Sequence, residues 1–175
     1  DTDRILTMLT EQNAFVTRLP DGVSYRFHHM MKVCAEQAFA ALPEQTRRAY
    51  HGRYGAWYAA HGQYLHALAA YRKGEDYDAV LQVIQDDAGI LLAALSPEEV
   101  LAFLDVCPRG TLQAHPLTLL VLMRRMFTWQ QIPKMLELRA LLLAGIEAHP
   151  ELPDAERDNL LGECDLIMSF LQYND

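Results

Sequence analysis

The sequence predicts a mainly α protein in which one β-hairpin near the start interrupts an otherwise helical chain. Three observations predict it. Apolar residues recur at helical spacing through most of the 175 residues. The eight prolines stand almost entirely where such segments begin or end. Only around residues 14–27 does the period shorten to short runs of β-branched and aromatic residues.

In order, Thr2 can cap a first helix whose Ile5, Leu6 and Leu9 share a face. Ala14–Leu19 and Val23–Phe27 read as two strands joined by Pro20-Asp21-Gly22, where Pro sets φ and Gly supplies positive φ. A helix follows from about His28, with Met31, Ala35, Ala38, Phe39 and Leu42 on one face, and stops before Pro43. Helix, two-stranded wing and helix make the C-terminal part of a winged-helix unit, expected over residues 1–42. From 43 to 175 the pattern is helical hairpins. Pro43 opens a helix carrying Tyr50, Tyr54, Trp57 and Tyr58 that stops at His61-Gly62; Tyr64 to Lys73 ends on Gly74 as C-cap. Tyr77 to about Asp87 turns Val80, Leu81 and Ile84 inward, with a break at Gly89. Ser96-Pro97-Glu98-Glu99 is a capping box opening a helix that runs to Pro108. Pro116, Pro133 and Pro153 open three more. The first carries Leu119, Leu120, Leu122, Met123 and Met126. The second carries Leu136, Leu138, Leu141, Leu142 and Ile146, and the third Leu160, Leu161, Cys164, Ile167, Met168 and Leu171. Successive helix pairs of about 34–40 residues predict an α-solenoid. Asp1 without an initiator Met, and a last helix left without a partner before the polar tip Tyr173-Asn174-Asp175, are expected of a segment of a longer protein.

Composition narrows the class. With 51% apolar and 22% charged residues the chain is neither disordered nor low-complexity, and at this length it buries roughly 70% of its unfolded surface. Apolar runs such as 140–146 fall far short of the ~18–20 residues that span a bilayer. Three isolated cysteines, Cys34, Cys107 and Cys164, form neither a disulfide framework nor a zinc motif, which suits a reducing, cytoplasmic setting. The net charge of −8 disfavours direct nucleic-acid binding.

Two stretches carry a family resemblance. Tyr25-Arg26-Phe27-His28-His29-Met30-Met31 resembles the Y-R-[FY]-H-H-L-[FL] segment of large ATP-binding, LuxR-type (MalT-like) transcriptional regulators. Gly55-Ala56-Trp57-Tyr58-Ala59-Ala60-His61-Gly62, with Ala67-Leu68, Ala70 and Gly74-Glu75-Asp76-Tyr77, is similar to the segment that opens their tetratricopeptide-like superhelix. Leu101–Pro108 and His115-Pro116-Leu117 match further segments more loosely. The resemblance implies a winged-helix tail followed by the first tetratricopeptide-like helical hairpins. It also implies an ATPase module upstream, a DNA-binding helix-turn-helix downstream, and ATP or ADP as the parent protein's nucleotide, with no cofactor bound by this chain alone. Thr128-Trp129, where such pairs turn on Gly, and Pro133 depart from the pattern.

Few residues invite chemistry. The chain lacks G-x-x-x-x-G-K-[ST] and H-E-x-x-H, and of its three serines Ser96 is a cap while Ser24 and Ser169 lack an activating elbow, so an enzyme is not expected. His28 resembles the histidine of the Met-His-Asp triplet in winged helices of signalling ATPases, which implies a sensor of bound diphosphate. His29 departs from the triplet's Asp, and the plainer reading is a histidine capping the helix start. Tyr54, Trp57, Tyr58, Tyr64 and Tyr71 are candidates for a peptide- or ligand-binding groove; with Tyr50 and Tyr77 their spacing is more often that of ridge packing between adjacent helices. Arg124-Arg125 either meets an acidic partner or snorkels to solvent.

The expected function is a non-enzymatic sensor and coupling region of a LuxR-type regulator, relaying an inducer or partner to nucleotide-dependent activation of transcription. Its partners would be the ATPase and DNA-binding modules of the same parent, an inducer or protein, and a second copy through self-association. A freestanding helical-repeat adaptor for a peptide or protein, and a small-molecule-binding helical domain, are the alternatives.

Overall fold

The helical pattern becomes ten α-helices, one 3-10 helix and one hairpin among residues 2–12 and 15–172, which the computed structural model describes. These are α1 (Thr2–Glu11), β1 (Val16–Arg18), β2 (Tyr25–Phe27), α2 (His29–Ala40), α3 (Glu44–Ala60), α4 (Tyr64–Lys73) and α5 (Tyr77–Asp86). Then come the 3-10 helix (Ile90–Ala94), α6 (Pro97–Val106), α7 (Arg109–Gln113), α8 (Pro116–Thr128), α9 (Ile132–Ala148) and α10 (Asp154–Gln172). The Thr2 side chain, Ala14 and the Tyr173-Asn174-Asp175 tip lie outside the described residues. Two compact units result, Asp1–Arg47 and Arg48–Asp175. Their boundary falls inside α3.

In the first unit, β1 and β2 pair antiparallel in the register Val16↔Phe27, Thr17↔Arg26, Arg18↔Tyr25. The turn between them closes as its residues dictate. Gly22 N–H donates to Leu19 O (3.0 Å) with Gly22 at φ 70°, and Asp21 Oδ1 accepts from the Val23 and Ser24 amides. The Ser24 hydroxyl and these two amides hold the Asp21 carboxyl below its usual range. Among the described residues of this unit only Val16 is buried. The face expected of α2 is therefore not a core face: Met31, Ala35 and Ala38 are exposed, and Phe39 and Leu42 are half-buried.

The second unit is built on one repeated device. The helix-to-coil turns after α3, α4, α5 and α8 are all Schellman motifs, which satisfy carbonyls left open in the last helical turn. Gln63 N–H reaches Tyr58 O, Asp76 reaches Tyr71 O, Gly89 reaches Ile84 O, and Gln131 reaches Met126 O, at 2.8–3.0 Å. The left-handed residue in each is Gly62, Glu75, Ala88 or Gln130. Only the first has the glycine that such a position favours. Gly74 is the C-cap of α4, as expected, but sits in the right-handed region. Its value there is space, since a Cβ would lie 3.2 Å from His51 Cβ.

Turned back in this way, α4 packs on α5, α5 on α8, and α8 on α7, α9 and α10. The core runs from Ala67 through Val80, Leu81 and Ile84 to Leu122, Met123, Met126, Leu138 and Leu142, and on to Ile167. α10, expected to lack a partner, buries Leu160, Cys164 and Ile167 and packs on α8, because those positions at i, i+4 and i+7 form one stripe. Leu136 is 45% exposed, with Met135 buried in its place. α9 is apolar on nearly all sides, so period alone does not select its inner face. α7 was not expected; five residues are too few to show a period.

Two polar contacts cross the α5–α8 seam. The fully buried Thr118 hydroxyl donates to Leu81 O (3.0 Å), and His115 Nε2 donates to Asp78 Oδ1 (2.7 Å). At the start of α6 the capping box is present: the Glu99 amide donates to Ser96 Oγ, and the Ser96 amide and hydroxyl donate to Glu99 Oε2. Lys134, largely covered by its neighbours, ties α9 to Asp105 of α6 and to Glu137, both at 2.9 Å.

Two outcomes are expected. Gln130→Gly raises stability by about 0.5–1 kcal/mol, as relief of the Cβ strain exceeds the added unfolded-state entropy, whereas Gly62→Gln lowers it by a similar amount; urea midpoints check both. The Ser96 amide and hydroxyl hold the Glu99 carboxyl below its usual value, so the fold favours its ionised form. That contribution is present above the ordinary glutamate range and is lost as pH falls through the lower folded value. Thermal unfolding from about pH 6 to pH 3 therefore shows a shallower acid limb for Glu99→Gln than for the parent chain.

Candidate functional site: the aromatic groove of α3 and α4

The groove begins from residue size. On α3, His51, Tyr54 and Tyr58 fall at i, i+3 and i+7 and share a face. On α4, His66, Ala69, Ala70 and Lys73 do the same, with two alanines at its middle. Rings on one helix facing methyl groups on the other leave an open cleft of about 330 Å³ bounded by these seven side chains. The helices approach because Gly55 has no side chain: a Cβ there would lie 2.6 Å from the Tyr71 ring.

Stacking holds the walls. Tyr58 and His66 stack at 5.2 Å between ring centroids, Trp57 and His61 at 4.0 Å, and Trp57 meets Tyr58 edge-on at 5.3 Å. His61 Nδ1 donates to Trp57 O (2.7 Å), which fixes that imidazole beneath the indole. Tyr54 and Trp57 keep 52% and 54% of their surface exposed, well above what packing residues retain. Arg53 lies over the Tyr50 ring at 4.4 Å. Lys73 has no ion pair or hydrogen bond among the described residues.

Of the five aromatic candidates, the groove gathers Tyr54 and Tyr58, with Trp57 beside them. Tyr64 lines a second, shallower hollow of about 340 Å³ with Leu65, Asp87 and Ile90. Tyr71 packs behind Gly55 against the core, where burial pushes its hydroxyl pKa upward, with the Asp76 charge acting the same way. His51, His66 and Lys73 are groove residues that aromatic spacing does not mark. The signal that finds them is charge: from residue 45 to residue 73 there is no Asp or Glu.

His28 is the N-cap of α2. Its Nδ1 accepts from the Met30 amide (3.3 Å), its ring lies 5.8 Å from Phe15, and it is exposed. With Nδ1 accepting, a neutral ring carries its proton on Nε2.

Elsewhere little chemistry assembles. Among the described residues no group of three His, Cys, Asp or Glu could hold a metal, and no helix is long and apolar enough to cross a membrane. Burial pushes the Cys107 thiol up to about 11 and also raises that of Cys164, against which Arg139 acts, so both stay protonated and poorly nucleophilic. Arg124 pairs with Glu163, and Arg125 lies over Trp129 at 5.5 Å. Comparison with family models, curated proteins and solved structures finds no match for this chain.

Gly55 and Gly52 separate packing from propensity within α3. Gly52→Ala, where a Cβ meets nothing within 4 Å, is expected to gain up to about 1 kcal/mol of helix propensity. Gly55→Ala gains the same propensity but collides with Tyr71, and is expected to lose about 1–3 kcal/mol net. Thermal unfolding of the two variants moves in opposite directions.

Proposed function

We propose that this chain is a non-enzymatic sensor and coupling region of an ATP-dependent, LuxR-type transcriptional regulator acting in the cytoplasm. The carrying observation is the junction at His28, where a hairpin runs directly into a helix capped by that imidazole. A helix N-terminus favours anions, and an exposed Nε2–H adds a directed donor for a nucleotide's diphosphate on an adjoining ATPase module. The exposed apolar side chains of the first unit support the reading, since a unit with so little buried surface gains stability from a covering neighbour. The tetratricopeptide-like solenoid is the finer part of this proposal. Supporting it are the four like turns and the two α5–α8 contacts, each joining residues 37 apart. The stretch of the 3-10 helix, α6 and α7 would be an insertion between one helix pair and the next. An inducer or partner bound to this region shifts the regulator toward its ATP-competent state only by its difference in affinity for the two states.

The test uses the full-length protein carrying this region. His28→Asn keeps an N-cap but removes the imidazole, and is expected to change the rate of ADP release by about fivefold or more with unchanged helical content, the lower end of an allosteric coupling. Unchanged ADP release overturns the reading.

The open aromatic groove favours a second reading, a helical-repeat adaptor that docks a peptide or protein segment between α3 and α4 without a nucleotide link.

A further inference from the structure

The groove's chemistry goes beyond its shape. The chain carries 23 Asp and Glu against 15 Lys and Arg, yet residues 45–73 hold no carboxylate at all. The same stretch holds Arg47, Arg48, Arg53, Arg72 and Lys73 and three of the seven histidines. It also carries five of the eight tyrosines and one of the two tryptophans. Helical proteins ordinarily intersperse both signs of charge along an exposed face. α3 and α4 are solvent-facing over much of their length, and a solvated face has no reason to exclude one sign.

Of those five cations Lys73 is the one that lines the cleft, while Arg48 pairs with Glu75 and Arg53 lies over the Tyr50 ring. Lys73 stands at one end with no counter-ion among the described residues, His51 and His66 flank it, and exposed rings form the wall. We infer that the α3–α4 groove docks a short acidic segment of a partner protein, with carboxylates at Lys73 and the imidazoles and apolar side chains over Ala69 and Ala70. This inference rests on the adaptor reading of the groove and names its partner's chemistry. Aromatic side chains and cations are the groups that anchor such interfaces. A long polyanion is disfavoured because the basic stretch is closed off at once by Asp76 and Asp78, and by Glu75, which already pairs with Arg48. A nucleic-acid strand running past Lys73 would meet those carboxylates, whereas a short peptide segment ends before them.

The experiment titrates the chain, at about 20 mM and about 200 mM salt, with a fluorescein-labelled peptide alternating glutamate and leucine. The same peptide with glutamine for glutamate, and a short oligothymidylate, serve as comparisons. The glutamate peptide is expected to bind best, and more weakly at the higher salt. Lys73→Glu, at an exposed position, is expected to weaken that binding by about fivefold or more with helical content unchanged and Tm only a few degrees lower, since the reversal also places a carboxylate in the last turn of α4. Tyr54→Ala is expected to weaken it at both salt concentrations. Equal binding of the glutamine peptide overturns the acidic specificity while leaving the adaptor reading standing. Failure of both peptides overturns the two together. Tighter binding of the oligothymidylate, or indifference to Lys73→Glu, also overturns the inference.

Discussion

The second unit depends on how α8 is seated. Its Thr118, Leu119, Leu122, Met123 and Met126 are all but inaccessible, and α5, α7, α9 and α10 pack around it. Apolar burial drives this arrangement but leaves the helix free to slide or rotate, because dispersion and hydrophobic contact carry little direction. A buried hydroxyl is less forgiving. Thr118 gives its hydroxyl to Leu81 O of the neighbouring helix and not to its own preceding turn, a directional bond that favours one register. The His115–Asp78 hydrogen bond repeats the constraint one turn away at the helix start. Together they seat α8 on α5, and everything packed on α8 inherits that register.

The turns work alongside the seam. A helix whose apolar stripe must lie against its neighbour has to reverse within two or three residues, and the Schellman motif does so while satisfying carbonyls that would otherwise face a drying interface. Glu75, Ala88 and Gln130 occupy the left-handed position that glycine fills most cheaply. The surrounding contacts overcome that local strain. Glycine also stands where another atom needs the room, against Tyr71 at Gly55 and against Val121 at Gly89, the latter being left-handed as well. Close approach of α3 to α4 at Gly55 and small residues at Ala69 and Ala70 produce a cleft with rings along one side. The groove is thus a by-product of which positions carry a Cβ.

The two units use their apolar residues differently. From Ala67 onward they condense into one continuous core. In the first unit Ile5, Met8, Phe15, Phe27 and Met30 each keep about half or more of their surface exposed, although the pattern in α1 and α2 reads as amphipathic. Periodicity reports which residues share a face and is silent about whether anything is laid against it. The same silence explains α10. Its stripe was visible, but that α8 would cover it followed from the path of α9 and not from the stripe.

Much of the fold was legible in the residues. Pro116, the Ser96–Glu99 box, the Pro20-Asp21-Gly22 turn and the helix from Tyr64 to Lys73 act through nearest neighbours, so local chemistry determines them. The aromatic spacing on α3 marked Tyr54 and Tyr58, which line the cleft, but by itself favoured packing between helices. The cleft's other wall was hidden because His66, Ala69 and Lys73 are ordinary helix-surface residues until α4 is folded back against α3. Gln130 carries no sequence sign of a left-handed turn, and Leu136 and Met135 cannot be ranked for burial within a helix apolar on nearly every side. By itself the sequence determined the longer helices, the hairpin and the carboxylate-free stretch, all properties of residues close along the chain. Tertiary structure alone decided which faces meet, that α8 lies on α5, and that rings, imidazoles and one ammonium share a single cleft, because those depend on distances between residues far apart in sequence.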